Sequence, residues 1–484
     1  MKLLRELLYG CDLQRIIGDA GVVIEGIHLN SKKVAGHGLF VAIKGVEKNG
    51  HDFISESILS GAIAVLCEEL PKTLKDQVTY IQVVDSSVAL GIISSNFFDN
   101  PSSKIKLIGI TGTNGKTSIA HYLFSLFTQL NFKTGLISTI HNKVDNKLIP
   151  STHTTPNPIE INRLLSLMVK AGCAFCFMEV SSHGIAQNRI AGLNFDVAVF
   201  SNISRDHLDY HKSFEDYKNT KKRFFDSLNT NAISIVNVDD AFCSTILLDT
   251  KSIKILYGIN SNAHYTASIL ESNFFGLSLE IDKQTISTRL IGDFNAYNLL
   301  AVYAVAHQLG QERCKISSLL SNIKPVSGRF NIIRSNSGVV GIVDYAHTPD
   351  ALKQVILSIS NFCNPTKKLI TVIGCGGDRD QGKRPIMGKI AFENSSRIIF
   401  TSDNPRFENP KAIIDDMCLN LPSNTTNKLH KISNRKEAIH FAFNHASKGM
   451  VILLAGKGHE KFQEINGLRV PFDDFQILTQ ILNT

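Results

Sequence analysis

The sequence contains no tryptophan, few prolines and no long apolar run, and each absence excludes a class of protein. Its 484 residues include 13 prolines and 33 glycines, too few for a collagen-like or linker-dominated chain. No stretch reaches 18 uninterrupted apolar residues, so no membrane-spanning helix is predicted. Apolar residues make up 43% and charged residues 19%, which excludes a disordered chain and leaves material for several buried cores.

The nine cysteines are scattered along the chain. Their odd number and wide spacing do not indicate a disulfide framework. Cys173 and Cys176 form a C-x-x-C pair within an apolar run, which predicts two core thiols beside a strand, with a redox or metal pair as the alternative. The N-terminal segment MKLLRELLYGCDLQR has charges among its leucines and no cleavage site, so it predicts an amphipathic helix and not a signal peptide. A cytoplasmic protein is therefore expected.

The net charge is only +8, which suits anionic small substrates and nucleic acid alike. A nucleic-acid-dependent ATPase is nevertheless disfavoured, because the chain lacks tryptophan and shows no interleaving of aromatic and basic residues for base stacking.

The pattern of strands and helices predicts an α/β chain of about three domains. Breaks at NPSSK (100–104) and NIKPVSGRF (322–330) suggest the boundaries 1–98, 99–328 and 329–484. Strands alternate with helices in the second and third parts, which favours two parallel-sheet domains behind an N-terminal module. The predicted strands are 39–45, 62–69, 105–110, 175–180, 196–202, 232–238, 339–345, 368–374, 397–403 and 450–456.

The sharpest motif follows the strand at 105–110 and precedes an apolar helical pattern at 118–130. In this turn, Gly109 to Ser118 read GITGTNGKTS, and glycines allow backbone N–H groups to close around phosphates. Lys116 can reach the outer phosphates, and the Thr117 hydroxyl can ligate Mg²⁺. The motif predicts triphosphate binding but names no reaction, since motors, switches and kinases share it.

Segments along the whole chain resemble the Mur ligases and folylpolyglutamate synthases, enzymes that use ATP to join an amine to a carboxylate. The nearest resemblance is to the Mur ligase branch that adds the third residue of the peptidoglycan stem. The matching segments are 111–117, 178–189, 202–211, 236–240, 292–301, 327–330, 344–352, 374–388, 402–410 and 455–460. The resemblance implies an N-terminal mixed α/β UDP-binding domain, a central ATPase-type parallel sheet and a C-terminal Rossmann-like domain.

The resemblance also assigns residues to ATP and to two Mg²⁺ ions. Glu179 and His207 match metal-binding positions beside Lys116 and Thr117. Lys221 matches a lysine that the family carries as N6-carboxylysine, although the neighbouring Lys218 and Lys222 leave a shift of one residue open. The residues implied for ATP are Gly112, Thr113, Asn114, Gly115, Lys116, Thr117, Ser118, Asn295, Asn298, Arg329 and Asp344, with Tyr345 and His347 nearby.

Two further sets of residues are implied for the substrates. Those for the UDP-sugar substrate are Leu29, Ser31, Val46, Glu47, Lys48, Thr154, Thr155, Ser181, Gln187 and Arg189. Those for the amino acid are Arg379, Asp403, Asn404, Pro405, Arg406, Gly456 and Glu460. Arg406, in the sequence DNPR, provides a guanidinium fork that suits a carboxylate and repels a lone ammonium.

The expected activity is therefore ADP-forming ligation of meso-2,6-diaminopimelate to UDP-N-acetylmuramoyl-L-alanyl-D-glutamate, through an acyl phosphate. L-Lysine as the added amino acid is the alternative within the same branch. A folylpolyglutamate synthase would lack an N-terminal module like residues 1–98, and a scaffold with a dead nucleotide site would not need Lys116, Thr117, Glu179 and His207. The expected partners are small molecules alone, and the expected state is a monomer.

Overall fold

The computed structural model describes residues 1–45, 48–422 and 427–483. Its strands form three large sheets of five, eleven and six strands, each built from a separate stretch of the chain. Two further pairs of strands stand apart from these sheets. In the described parts of the chain, no helix is long and apolar enough to cross a bilayer.

The first sheet lies within residues 13–83, and all but one of its strand pairings are parallel. Short 3₁₀ turns at Ser31–Lys33 and Gly50–Phe53 connect parts of this region. Its elements are β1 (Lys2–Leu3), α1 (Leu4–Leu7), β2 (Leu13–Ile17), β3 (Val23–Ile24), β4 (Gly26–His28), β5 (Gly38–Val41), α2 (Ile54–Leu59), β6 (Ala62–Cys67), β7 (Thr79–Val83) and α3 (Ser86–Phe97). The sheet order is β2-β7-β6-β5-β4.

The prediction of one amphipathic helix at the N-terminus is wrong. Only α1 is helical there, while β1 pairs with β3 and β2 joins the first sheet. Gly10 has a φ of 80°, a left-handed conformation that glycine adopts at little cost and that ends the helical pattern.

The second sheet is parallel at its centre and antiparallel towards both ends. After a 3₁₀ turn at Pro101–Ser103, its strands are β8 (Lys106–Thr111), β9 (Thr134–Ile137), β10 (His141–Val144), β11 (Lys147–Pro150), β12 (Phe175–Glu179), β13 (Val197–Phe200), β14 (Ile233–Asn237), β15 (Ile253–Gly258), β16 (Tyr265–Asn273), β17 (Gly276–Ile281) and β18 (Gln284–Thr288). The helices are α4 (Lys116–Gln129), α5 (Pro158–Lys170), α6 (Ser182–Ala186), α7 (Phe214–Asp226), α8 (Cys243–Ile246), α9 (Phe294–Gln308) and α10 (Arg313–Leu320).

The order of this sheet is β11-β10-β9-β12-β8-β13-β14-β15-β16-β17-β18. Strand β8 lies between β12 and β13, parallel to both. Its residues alternate between two buried cores, with Leu107 on one side and Ile108 on the other. Burial on both faces explains why these strands read as continuous apolar runs.

The third sheet has five parallel strands and the antiparallel edge strand β19. Its elements are β19 (Asn331–Arg334), β20 (Val340–Asp344), α11 (Pro349–Ser360), α12 (Pro365–Lys368), β21 (Leu369–Ile373), α13 (Lys383–Glu393), β22 (Arg397–Phe400), α14 (Pro410–Cys418), β23 (Leu429–Lys431), α15 (Arg435–Asn444), β24 (Val451–Ala455) and α16 (Asp474–Leu482). A separate hairpin joins β25 (Phe462–Ile465) to β26 (Leu468–Pro471). The sheet order is β19-β20-β24-β21-β22-β23.

Candidate active site

A cavity of about 560 Å³ lies where the carboxyl ends of β8, β12 and β13 meet the start of the third sheet. Crevices at the carboxyl ends of parallel strands are the usual ligand sites of α/β sheets. Side chains from the second and third sheets both line this cavity. Of the predicted residues, those on its wall are Thr113, Asn114, Gly115, Lys116, Thr117, Ser118, Thr154, Glu179, Ser181, His207, Lys221, Asn298, Arg329, Asp344, Tyr345 and His347.

The glycine-rich loop between β8 and α4 packs too closely for side chains at its glycines. A Cβ on Gly112 would lie 1.9 Å from Ser201 Oγ, and one on Gly115 would lie 2.7 Å from Asn298 Oδ1. Gly115 also precedes α4 with a φ of 89°. The loop therefore brings bare backbone to the N-terminus of a helix, an arrangement that suits phosphate groups.

Two lysines direct their Nζ atoms to this loop, the partly buried Lys116 and the buried Lys221. Lys116 Nζ donates to the carbonyls of Gly112 and Thr113 at 2.9 and 2.8 Å, and Lys221 Nζ donates to the same Gly112 carbonyl at 2.9 Å. Burial lowers the pKa of both lysines, and that of Lys221 falls well below its usual range. The nearby Lys218 and Lys222 instead pair with carboxylates outside the cavity, so the geometry favours Lys221 as the predicted lysine.

Glu179 ends β12 and is fully buried among hydroxyl and amide donors. One carboxylate oxygen accepts from Thr139 N at 2.8 Å, and the other accepts from Thr117 Oγ1 at 2.9 Å. Arg329 Nη2 donates to Thr117 Oγ1 at 3.1 Å, and Arg329 Nε is buried without a partner. A carboxylate beside a hydroxyl is an oxygen-donor pair of the kind that Mg²⁺ prefers.

The asparagines and aspartate predicted for ATP lie at or next to the cavity. Asn298 Nδ2 donates to Asn295 Oδ1 at 3.0 Å, and only Asn298 reaches the cavity surface. Asp344 accepts from the backbone N–H groups of Phe330 and Ala346, both at 2.7 Å. Burial raises the pKa of Asp344, although these bonds and Arg329 oppose that shift.

His207 lies on the loop after β13 with a left-handed φ of 55°. Burial lowers the pKa of His207 to about 3, which keeps the imidazole neutral and able to act as a ligand. Its neighbour Asp206 is also buried, but His207, His347 and nearby lysines outweigh the effect of burial and lower the pKa of Asp206 to about 2. Among the described residues, no three His, Cys, Asp or Glu side chains converge closely enough to form a preformed metal cage.

The residues predicted for the UDP-sugar substrate fall into two separate groups. Thr154 and Ser181 reach the cavity, and behind them Arg189 Nη1 donates to the Thr155 carbonyl at 2.6 Å while its Nε donates to Gln187 Oε1. Leu29, Ser31 and Lys48 belong to the region of the first sheet and do not line the cavity. Val46 and Glu47 lie outside the described residues.

The residues predicted for the amino acid form a second cluster, at the carboxyl ends of β21, β22 and β24. Asn404 Nδ2 donates to Glu460 Oε2 at 2.8 Å. Arg406 Nη1 donates to the Gly377 carbonyl at 2.5 Å, and its Nε lies 3.4 Å from a Glu464 carboxylate oxygen. Arg379 points towards the second sheet, 3.7 Å from Asp209. Asp403, Pro405 and Gly456 lie in the same loops, so six of the seven residues lie together, while Arg379 faces Asp209.

Several residues of the site were not predicted from the sequence. Thr139 bonds Glu179 through both its backbone and its hydroxyl, but it follows β9 without any motif. Asp350 accepts from Asn114 Nδ2 at 2.9 Å and so connects the glycine-rich loop to α11. Lys457 was not predicted either. It lies inside the matching segment AGKGHE, and that position was the one feature of the sequence that could have marked it as a site residue.

Comparison with known proteins identifies the family of the chain. Three family models match in order: "Mur ligase family, catalytic domain" over 23–98, "Mur ligase middle domain" over 110–306 and "Mur ligase, glutamate ligase domain" over 328–458. A Bacteroides thetaiotaomicron protein is 47% identical over 481 residues, covering 99% of this chain and 100% of its own. A Caldanaerobacter subterraneus protein is 39% identical over 96% of each chain. Both are named UDP-N-acetylmuramoyl-L-alanyl-D-glutamate–2,6-diaminopimelate ligase.

Solved structures show the same architecture. A structure titled as the same ligase is 31% identical, with a TM-score of 0.66 over 95% of this chain and 94% of its own. The MurF ligase of Thermotoga maritima in complex with ADP is 20% identical, with a TM-score of 0.61 over 90% and 94% of the two chains, and this likeness shows the fold alone.

Proposed function

The chain belongs to the Mur ligase family, and we propose that it joins meso-2,6-diaminopimelate to UDP-N-acetylmuramoyl-L-alanyl-D-glutamate with hydrolysis of ATP to ADP. The proposal places the reaction in the synthesis of peptidoglycan precursors. The observation that carries it is the pairing of a phosphate-binding cavity with the Arg406 and Glu460 cluster, which offers one guanidinium and one carboxylate to a zwitterionic group.

In this proposal the loop around Lys116 holds the ATP phosphates. A carboxylate is a poor electrophile, so ATP first phosphorylates the substrate's terminal carboxylate to an acyl phosphate. The amine then attacks the acyl carbon, phosphate leaves and the amide forms. Transfer of phosphate between two anions requires cations and positioning more than covalent help from the enzyme. Lys116 and Arg329 lie where they can supply that positive charge.

The donor set around Thr117 fits Mg²⁺. Thr117 and Glu179 offer adjacent oxygens, and His207 and Lys221 are positioned to serve a second ion, with Lys221 as N6-carboxylysine. Bound Mg²⁺ would neutralise charge on the transferred phosphate. Burial lowers the pKa of Lys221 well below its usual value, which favours the uncharged amine, the form that can react with CO₂.

The choice of amino acid depends on Arg406. Diaminopimelate differs from lysine by a distal carboxylate, and a bidentate guanidinium recognises that group better than an ammonium does. Glu464 and the Gly377 carbonyl already orient Arg406, whose side chain is 21% exposed. L-Lysine remains the second candidate substrate.

The remaining assignments complete the proposal. Residues 1–98 bind the UDP part of the substrate, residues 99–328 bind ATP, and residues 329–484 bind the amino acid. The enzyme acts in the cytoplasm as a monomer.

The test is phosphate release from ATP with Mg²⁺, the UDP-linked dipeptide and either meso-diaminopimelate or L-lysine. We expect turnover with diaminopimelate alone. Turnover with lysine instead would overturn the substrate assignment, and no turnover with either would overturn the proposed reaction.

A matched pair of variants tests the role of Arg406. Arg406→Lys keeps the charge but loses the fork, so the KM for diaminopimelate should rise about tenfold or more, equivalent to about 1.4 kcal/mol. Arg469→Lys, on the exposed strand β26, should leave that KM unchanged.

A further inference from the structure

Lys457 presents a wholly buried ammonium group between the two loops that carry the amino-acid cluster. It follows β24, and its side chain has no exposed surface. Its Nζ donates to Asn404 Oδ1 and to Glu460 Oε2, both at 3.0 Å, and lies 3.6 Å from Asp403 Oδ1. Burying a charge is costly, so such a residue persists only where its partners compensate it.

The contacts of Lys457 determine which way the Asn404 amide faces. Asn404 Oδ1 accepts from Lys457 Nζ and from Glu464 N at 3.0 Å, so the oxygen end is occupied by two donors. The Nδ2 end therefore faces Glu460 Oε2 at 2.8 Å. Without the ammonium, the amide would lose one of the two contacts that fix this orientation.

Two carboxylates lie beside the single ammonium group of Lys457. Lys457 is one positive charge beside the carboxylates of Asp403 and Glu460, so one negative charge remains when both are ionised. Gly456 permits this crowding, since a Cβ there would lie 2.5 Å from Asp403 Oδ2. These two carboxylates offer acceptors to an ammonium group of an incoming amino acid.

The contacts of Lys457 differ from those of a buried ion pair that connects two helices of the third sheet region. Arg435 and Asp474 are both fully buried, bond each other through two nitrogens and tie α15 to α16, with a further bond to the Ala455 carbonyl. Among the described residues, Lys457 Nζ donates only to side chains, and both acceptors are ones that we assign to substrate binding.

We propose that Lys457 is a positioning residue that orients Asn404 and Glu460 towards the amino group of the incoming amino acid. The proposal rests on the proposed function for the presence of that substrate. If the proposal is right, replacing Lys457 weakens binding of the amino acid but not of ATP or the UDP-linked dipeptide. A general role of Lys457 in folding would not produce such a selective effect.

The test is steady-state phosphate release by the full-length enzyme, with each of the three substrates varied in turn. Lys457→Met removes the charge while filling the space, and Lys457→Gln keeps a donor without the charge. We expect the KM for the amino acid to rise at least about tenfold in the first and less in the second, with the other two KM values changed by less than about twofold. The control is Lys461→Met, an exposed lysine on the same segment, which should behave as wild type.

The outcomes separate this proposal from the proposed function. An unchanged KM for the amino acid, or a parallel change of all three KM values with a fall in Tm, would overturn the role of Lys457. If Lys457→Met does not fold, the same criteria apply to Lys457→Gln. Wild-type turnover with lysine alone would overturn the diaminopimelate assignment, and the variants would then be judged on the KM for lysine. A wild-type enzyme inert with both amino acids would overturn both proposals.

Discussion

At the scale of single residues, the environment of Lys221 distinguishes it from the lysines beside it. Its side chain is buried, and its Nζ lies 4.7 Å from the centre of the Tyr217 ring. Lys222, one position further, instead pairs with Asp226 at 2.7 Å and with Asp249. Residues adjacent on a helix do not share a face, so only one of the two can serve the cavity.

We therefore expect Lys221→Met to lower kcat by at least about 100-fold, a loss of about 2.7 kcal/mol of transition-state stabilisation. The reason is that methionine offers neither an amine nor an oxygen to the cavity. Lys222→Met is the control and should keep most of the activity, since its ion pairs lie outside the cavity. Phosphate-release kinetics on both variants provide the measurement, and equal losses would refute the assignment of Lys221.

The sequence predicted individual site residues only where they lie within a recognisable motif. The spacing of Lys116 and Thr117 behind a buried strand predicted the glycine-rich loop, which the structure confirms. Thr139 carries no such signal, because its contact with Glu179 depends on β9 and β12 lying side by side in the sheet. Single residues of this kind become visible only when the pairing of strands is known.

At the scale of elements, Arg384 joins α13 to the start and the face of α14. Its guanidinium is 1% exposed and bonds both oxygens of Glu408, at 2.7 and 2.9 Å, and Asp416 at 2.8 Å. The bond from Arg384 holds the pKa of Glu408 below its usual value near 4.5. A carboxyl with a depressed pKa stabilises the fold fully above that value and loses this effect as the pH falls through its folded pKa.

Glu408→Gln should therefore lower the free energy of unfolding by about 1–3 kcal/mol at pH 7. The difference from wild type should shrink below about pH 4, because the wild-type carboxyl is then protonated as well. Denaturant unfolding at a series of pH values measures both effects. Asp415→Asn, in an exposed pair with Lys431, should change stability by less than about 1 kcal/mol. A pH-independent loss in Glu408→Gln would contradict this explanation.

Sequence-based prediction found most of the strands that are buried on both faces, although it missed the buried strands β7 and β9. Strands such as β8 and β21 are buried on both faces, so their apolar runs predicted them directly. The antiparallel strands β16 to β18 alternate buried and exposed residues and were not predicted. At the N-terminus, the leucines of α1 had the spacing of a longer helix, but Gly10 and the pairing of β2 decided the outcome.

At the scale of the whole molecule, two reciprocal ion pairs connect the second and third sheets. Arg205, on the loop after β13, lies 3.4 Å from Asp380, and Arg379, on the loop after β21, lies 3.7 Å from Asp209. Each loop thus contributes one cation and one anion to the contact. These loops also carry His207 and Arg379, so the ion pairs bring residues proposed for metal binding and for amino-acid binding next to each other. Sequence motifs predicted that both loops are functional. That their charges pair with each other could be seen only in the structure.

We expect the double variant Asp209→Asn, Asp380→Asn to separate the second and third sheets in the absence of ligands. Removing both anions leaves Arg205 and Arg379 without their partners across this contact, so the radius of gyration from small-angle scattering should increase. Salt at about 0.5 M should expand the wild type in the same direction, because it screens partly exposed charges over a few ångströms, and should affect the double variant less. The matched control is Glu160→Gln, Asp415→Asn, which removes two anions from pairs that each lie within one sheet region. Superimposable scattering profiles for the wild type and the double variant would show that packing between the sheets, and not these charges, holds the two parts of the site together.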